Sequence, residues 1–597
     1  MVKYKKHIDS NHNDILAISI IAIITFFYII ITCYYRDLFG MECRNALFAK
    51  EMLNHIKFVP TCLNIPYPDY TPVYFWLEVL FAKLLGGLNT IAAVLPSSIG
   101  FIGIIFLLYI LIKPISTDLA LLTSIVFASL PKVWDAAAHA TIDILLSFFI
   151  SATLISLYTG LNKNKQEYYI NLKWFMLSII CMIIAFFIKG LIGIVLPLVI
   201  WDLFLLLKYR KNSIKSILYF SIICIIVAVL CQSLELFIDY KEYGWAFVKQ
   251  VISLQVTSRL TERANKGIFY YIGVILNCVF PWLIVVIYLI FNRTKNINIR
   301  SKFQYIYNNI QFTYPEYDLL LFGFSWFLGI FIVFELASCK HSRYLYPAMP
   351  GLAICLAVII YKLYNGSYKF VNFLKLTALS VIILPFIPLF LKLKSITLHT
   401  SLFLSCIAIT LIAWYLINFI NNKIRPWFYL SLIIMFLMSS FSLLFGTSYS
   451  QKQSGRLFMQ CINKNASRLF YKSKIIPVYV YGINRDGNGV KLAYYAAPDL
   501  SFQFFFSTQK LLERTKPFIL ICYQKDKEKL LNILNKKYKT HILCKGLVHM
   551  VPTEGFLITM GPKQGKTNEQ ISTSNITRSS SKCICPNCSK TRDENNW

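Results

Sequence analysis

The stretch Ile15–Tyr35, ILAISIIAIITFFYIIITCYY, carries no charged residue, and Arg36–Leu53, RDLFGMECRNALFAKEML, follows it at once. A membrane-crossing helix needs about 20 apolar residues, and the first stretch supplies them. A cleaved signal peptide would have a shorter apolar core of about 7–15 residues and a small-residue cleavage site. This run has neither and reads as a retained span. Lys3, Lys5 and Lys6 in front of it give a cytoplasmic N-terminus. The charged stretch from Arg36 then begins an outer loop.

The same alternation continues through the 597 residues. Apolar blocks lie near 90–112, 117–133, 136–158, 174–188, 190–207, 216–236, 268–291, 318–336, 349–364, 373–391, 400–420 and 427–446, thirteen with the first. The chain is 57% hydrophobic and 15% charged, against about 45–50% and about 25% in soluble domains. A soluble enzyme, a disordered chain and a disulfide-rich secreted module are excluded. The 60 basic and 28 acidic residues leave a net charge of +32. A nucleic-acid binder would line one surface with its basic residues. Here they fall between apolar blocks, as the positive-inside rule requires. Alternating the blocks places Lys163, Lys165 and Lys173, then Lys208, Arg210 and Lys211, then Lys362 and Lys369 inside; Lys392 and Lys394 are the main exception.

The expected fold is therefore a polytopic α-helical membrane protein of about 13 transmembrane helices. Residues 1–446 form the membrane domain, with long outer loops at 36–87 and 235–267. Residues 447–562 read as a small extracytoplasmic α/β domain, with strands at Ile476–Tyr481, Phe518–Cys522 and His541–Cys544 and a helix at Asp526–Lys536. Residues 563–597, rich in Ser, Thr, Asn and Lys, read as disordered. Cys583, Cys585 and Cys588 lie there. A closed zinc site needs four ligands, so three thiols favour a mobile tail. Most of the sixteen Cys fall within spans and read as packing residues.

Candidate chemistry lies in charges that a membrane protein should not keep. Glu42 and Arg44 open a helical pattern in which Ala46, Leu47, Phe48, Ala49, Met52 and Leu53 suit an interfacial helix. Pro60, Pro66, Pro68 and Pro72 then forbid a continuous helix. Asp69 stands among Tyr67, Tyr70, Tyr74, Phe75 and Trp76, and a carboxylate beside rings needs a partner or a function. Asp143 in ATIDILLSFF and Lys189 in FIKGLIG interrupt apolar sequence at outer span ends, where an ionisable group is a functional candidate. His139 reads as a packing or interfacial residue, since no metal-like spacing accompanies it. Lys340, His341, Arg343 and Tyr344 form an outer basic cluster that the positive-inside rule disfavours. With Arg44, Lys189, Arg259 and Arg263 they compose a candidate anion site, since Arg forks and Lys point charges suit phosphate oxygens.

The run MECRNALFAKEML followed by YPDYTPVYFWL resembles the first-loop signature of the bacterial aminoarabinose-transferase and protein mannosyltransferase-like superfamily. ATIDILLSFF, FIKGLIG, Phe280–Trp282 and KHSRYLYPAMPGLA follow in that family's order, over roughly residues 15–365. The resemblance implies a GT-C-like membrane glycosyltransferase using a polyprenyl-phosphate-linked sugar. It implies Glu42 as the surviving acid of the first-loop pair, with Met41 where the leading Asp usually stands, and Asp69 as the acid of the second motif. Asp143, Lys189, Lys340 and Tyr344 match characteristic positions; Arg343 occupies a variable one. The later stretch RLTERANKG lacks the His through which some relatives hold a divalent metal, which argues against a metal here.

Such a donor already has an anionic leaving group, so the reaction needs cations on the phosphate and a carboxylate to take the acceptor's proton. The catalytic candidates are Glu42, Asp143 and Asp69. The phosphate-binding candidates are Arg44, Lys189, Arg259, Lys340, Arg343 and Tyr344. Direct displacement inverts the anomeric carbon. The acceptor is a lipid, glycan or protein, marginally a glycolipid such as lipid A, at a bacterial inner membrane with the site facing outward. A transporter or flippase for a lipid-linked or anionic solute is the alternative, but internal repeats and midplane charges are missing from the pattern. A membrane scaffold leaves Asp143 and Lys189 without a role.

Overall fold

The structure, a computed structural model, describes residues 2–34, 36–161, 170–254, 267, 269–293, 313–337, 340–364, 407–408, 410–412, 415, 424–470, 475–514, 516–535 and 537–560. The chain divides into two units. Unit 1 comprises Met1–Tyr34, Ile56–Pro60 and Tyr67–Leu444; unit 2 comprises Tyr35–His55, Thr61–Pro66 and Phe445–Trp597. Residues 36–87, expected from sequence to form the first outer loop, are thus divided between the two units.

Unit 1 is helical for a physical reason: in hydrocarbon a helix satisfies its own backbone groups where water cannot. Among the described residues, eight helical stretches are long and apolar enough to cross a membrane, or nine if one bent pair is counted. One stretch, Ile192–Ile252, holds two helices, Ile192–Tyr209 and Ile214–Ile252, joined by the 3-10 turn Arg210–Ser213. The block expected at 117–133 is not one straight span. It breaks into Thr117–Ala128 and Pro131–Ala137, bent by 68°, because Pro131 cannot continue a helix that precedes it. Block 373–391 falls outside the described residues, and 400–420 largely does.

Helix starts follow local chemistry. The Asn89 side chain accepts from Ala92 N at 2.9 Å, and Ser116 Oγ accepts from Leu119 N at 3.3 Å. Thr313 and Glu316 form a reciprocal capping box ahead of Tyr314–Leu336. That helix packs closely on Met349–Leu363 through two glycines. A Cβ at Gly323 would lie 2.9 Å from Gly351 O, and one at Gly351 would lie 2.7 Å from Gly323 O. Small residues allow this approach.

Unit 2 opens with the helix Met41–Met52 and the hairpin of β1 (Thr61–Cys62) and β2 (Ile65–Pro66). Leu63 and Asn64 turn the hairpin at φ of 56° and 61°. Glu51 holds that turn, accepting from Leu63 N at 2.7 Å, Asn64 N at 3.1 Å and Thr61 Oγ1 at 2.6 Å. A five-stranded sheet follows: β3 (Ile476–Tyr481), β4 (Leu500–Phe505), β5 (Phe518–Tyr523), β6 (Tyr538–Val548) and β7 (Val551–Met560). Its order is β4-β3-β5-β7-β6, with β3 parallel to β4 and β5, and β7 antiparallel to β5 and β6.

The strands expected from sequence fall inside β3, β5 and β6, and Lys527–Leu534 supplies the expected helix. One core brings Phe458, Met459 and Ile462 of the helix Arg456–Leu469 together with Val478 and Ile519; another brings Leu530 and Leu534 of Lys527–Leu534 together with Leu520 and Phe556. Cys461 and Cys544 form a disulfide between Arg456–Leu469 and β6. The tail with Cys583, Cys585 and Cys588 lies outside the described residues.

Candidate functional site

In unit 1, Asp143 is the second residue of Ile142–Gly160, and Lys189 is the last residue of Leu172–Lys189. Each charge sits where the helix dipole favours it, an acid at an N-terminus and a cation at a C-terminus. Gly190, at φ of 71°, turns the chain into the next helix, which fixes Lys189 at the bend. The two side chains, 46 positions apart, form an ion pair. Asp143 is buried at 5% exposure. Its other carboxylate oxygen lies 3.9 Å from Arg343 Nε.

Tyr344 stands beside both cations, its ring centroid 5.0 Å from Lys189 Nζ and 5.8 Å from the Arg343 guanidinium carbon. Phe334 stacks on Tyr344 at 5.0 Å and His341 meets it edge-on at 5.2 Å. Lys340 donates to Glu335 at 2.6 Å and lies 5.8 Å from the Tyr271 ring centroid. Four sequence candidates, Asp143, Lys189, Arg343 and Tyr344, are thus brought together, and Lys340 is held by an acid that sequence reasoning missed. Glu335 was detectable as an acid at a span end, five residues before Lys340.

Asp69 is half-buried on the loop that leads into Val73–Leu84. Around it the expected aromatic cluster forms: Tyr67 stacks on Tyr70 at 5.7 Å, and Tyr70 meets Phe75 edge-on at 6.2 Å. Trp76 turns away, donating Nε1–H to Lys57 O at 2.9 Å. Thr71 ties this loop to the Lys189 helix by donating to Phe186 O at 3.5 Å. Tyr67, Pro68, Tyr70, Glu235 and Asp239 line a small recess; these last two acids were not singled out from sequence. His139 Nδ1 bonds Asp135 O at 2.7 Å.

In unit 2, Glu42 stands in the first turn of Met41–Met52 and is buried. Arg36 forks it, Nη1 to Oε2 at 2.6 Å and Nη2 to Oε1 at 2.8 Å. Phe39 N adds a 3.4 Å contact. Arg44 follows half-buried. Asp37 accepts from Arg456 Nη1 at 2.8 Å and from Ser454 Oγ at 2.9 Å. That bond raises the Arg456 pKa, while burial lowers that of Lys50 and pushes the Cys43 thiol well above its usual range. Arg36 was read only as the start of the loop; its spacing of six from Glu42 gives no helical pairing signal. Arg259 lies outside the described residues. Among the described residues no group of three or more His, Cys, Asp or Glu side chains has a metal-holding arrangement.

The chemical sense of the unit 1 cluster is one carboxylate shared by two cations. It holds both beside one another, and Lys and Arg side chains so held suit an oxyanion such as phosphate.

Residues 69–234 match the family described as dolichyl-phosphate-mannose-protein mannosyltransferase. The undecaprenyl phosphate-alpha-4-amino-4-deoxy-L-arabinose arabinosyl transferase 2 of Proteus mirabilis is 24% identical over 320 residues, 53% of this chain and 54% of that one. The corresponding transferase of Serratia proteamaculans is 25% identical over 373 residues, 58% of this chain and 62% of that one. The alignments thus span less than two thirds of either relative. The solved ArnT of Cupriavidus metallidurans, bound to undecaprenyl phosphate, superposes with a TM-score of 0.65 at 16% identity, over 93% of this chain and 99% of that one. Its apo form gives 0.64 at 15% identity, over 91% and 97%. The fold is therefore shared with that membrane protein, and the resemblance to the aminoarabinose-transferase and protein mannosyltransferase-like superfamily is borne out.

Proposed function

We propose that this chain is an inverting membrane glycosyltransferase that moves a sugar from a polyprenyl-phosphate donor to an extracytoplasmic acceptor. The observation that carries the reading is the Asp143–Lys189–Arg343 cluster beside Tyr344. Lys189 and Arg343 bind the donor phosphate and stabilise the charge that grows on it as the glycosidic bond breaks. Arg44, Arg259 and Lys340 extend the same cationic role. Asp143, shared by two cations, orients them.

Glu42 is the proton acceptor. The Arg36 fork fixes its carboxylate, and a carboxylate has lone pairs beyond those a fork occupies. Asp69 is its competitor.

The first donor to test is undecaprenyl-phosphate-linked 4-amino-4-deoxy-arabinose, the substrate in the names of the transferase relatives. The acceptor is a glycolipid such as lipid A. A bacterial inner membrane with the site facing outward fits the Cys461–Cys544 disulfide of unit 2, since disulfides persist in oxidising compartments. Purified protein in lipid, given that labelled donor and lipid A, should yield glycosylated lipid A and free undecaprenyl phosphate. Movement of donor across the bilayer with no transfer would replace the enzyme by a flippase. In the same assay, E42Q should lose at least about 100-fold in single-turnover transfer while D69N loses far less. The reverse order would move the proton to Asp69.

A further inference from the structure

We infer that Asp37 and Arg456 are positioning residues for Glu42: the C-terminal part of unit 2 sets the first-loop helix through an ion pair to the buried Asp37 carboxylate. The inference rests on the reading of Glu42 as proton acceptor. Arg36, which forks Glu42, is followed directly by Asp37, and Asp37 is only 3% exposed. Both Asp37 oxygens are taken, Oδ1 by Arg456 Nη1 at 2.8 Å and Oδ2 by Ser454 Oγ at 2.9 Å. The Asp37 backbone N–H donates to Ser450 Oγ at 3.2 Å. These partners come from Thr447–Ser454 and the first residue of Arg456–Leu469. Gly455, at φ of 74°, makes the tight turn that presents Ser454 and Arg456 to the same carboxylate.

The rest of the loop helix is tied to the same part of the chain. Tyr495 O–H donates to Leu38 O at 2.9 Å. At the far end, Lys50 Nζ donates to Tyr494 O at 2.7 Å and Ala496 O at 3.0 Å. Both ends of Met41–Met52 are therefore pinned by residues more than 400 positions later, as the separations of 413 and 444 show. Arg456 itself is steadied, since its helix is joined to β6 through Cys461–Cys544. A displacement at Asp37 passes through one peptide unit to the Arg36 fork and so to the Glu42 carboxylate. General-base transfer needs hydrogen-bond reach, and small misplacements from remote changes are costly.

The test uses the full chain in lipid, undecaprenyl-phosphate-linked aminoarabinose as donor and lipid A as acceptor. D37N and R456Q should lower kcat by about 10-fold or more, with donor KM and undecaprenyl phosphate binding within about twofold of the parent. R456K, which keeps the charge, should retain most of the turnover, and combining D37R with R456D should exceed either single reversal. The inference is overturned if R456Q and D37N keep kcat within about twofold. It is equally overturned if kcat, donor binding and thermal midpoint fall together with no recovery in R456K or the double reversal. E42Q runs in parallel. An active E42Q sinks the Glu42 reading; an inactive E42Q beside an active R456Q sinks the positioning role alone.

Discussion

The helices Ile142–Gly160 and Tyr314–Leu336 each carry polar residues at both ends, and the two ends are built differently. At one end Lys208 pairs with Asp318 at 2.5 Å, Tyr158 O–H donates to Asp318 at 2.9 Å, and Lys362 pairs with Glu316 at 2.5 Å. There each cation has its own acid. At the other end Asp143 is shared by Lys189 and Arg343, and Glu335 takes Lys340. Among these pairs, three cations meet two acids. Matched pairs close the account locally and hold helices together. An acid shared by two cations is a different arrangement from a one-to-one pair, because it holds two donors toward one place. On the proposed function, the first end uses buried charge to hold helices and the second uses it to hold the donor phosphate.

The largest effect should come from breaking the matched end. K208M leaves Asp318, buried at 2% exposure, with the Tyr158 hydroxyl but without its cation, and removing one partner of a buried pair costs about 3–5 kcal/mol. Thermal or denaturant unfolding in lipid should register that loss, while transfer per folded molecule stays near the parent value. If turnover collapsed with K208M as well, the two ends would not differ in kind.

K189M should do the opposite. Arg343 remains beside Asp143, so stability should change less than in K208M. Transfer should fall by about 100-fold or more, as when a charge-stabilising donor is removed from a reacting centre. Single-turnover assays on protein with an unchanged melting midpoint test this. A variant that melts early yet turns over normally would make Lys189 another structural cation.

Much of this contrast was legible in the sequence, and some was not. Asp143 and Lys189 stood out because charge inside apolar blocks is costly, but a pairing across 46 positions depends on helix packing that no local pattern encodes. Glu316 and Asp318 lie in YPEYDLLLFG at a span end, visible as acids, and their partners Lys362 and Lys208 were read only as loop charges. β4 was missed because its alternating run, Leu500–Phe504, is short, and β7 because Gly555 interrupts its apolar pattern. Cys461 and Cys544 were not singled out: spacing cannot reveal a disulfide closed by a helix and a strand brought together in three dimensions. The bend before Pro131 was the avoidable error, since proline announces it.

D143N sharpens the end with the shared acid further. Removing the shared acid raises the local positive charge while freeing both cations to drift. Undecaprenyl phosphate should bind more tightly, by up to about 10-fold at low ionic strength, even as transfer slows because Lys189 is no longer aimed. Titration of undecaprenyl phosphate at two salt concentrations checks the sign. Weaker binding would mean that Asp143 contributes to the anion site by ordering the cations more than it detracts by its charge.

The smallest effect belongs to Arg343. Its Nε is 3.9 Å from Asp143, at the limit of an ion pair, and its side chain is 29% exposed, so water screens much of what its charge contributes. R343K keeps the charge but loses the planar fork. Donor retention should therefore weaken by only about 3-fold, in line with the few tenths to one kcal/mol of exposed pairs, and the deficit should shrink as salt rises. R343M, which removes the charge, should cost more than R343K and still less than K189M. That ordering follows from burial: Lys189 lies deeper in the cluster, with its side chain 14% exposed, and a buried cation acts in a medium that screens it less. Equal losses for R343K and K189M would show that geometry at Arg343, rather than burial at Lys189, sets the strength of the anion seat.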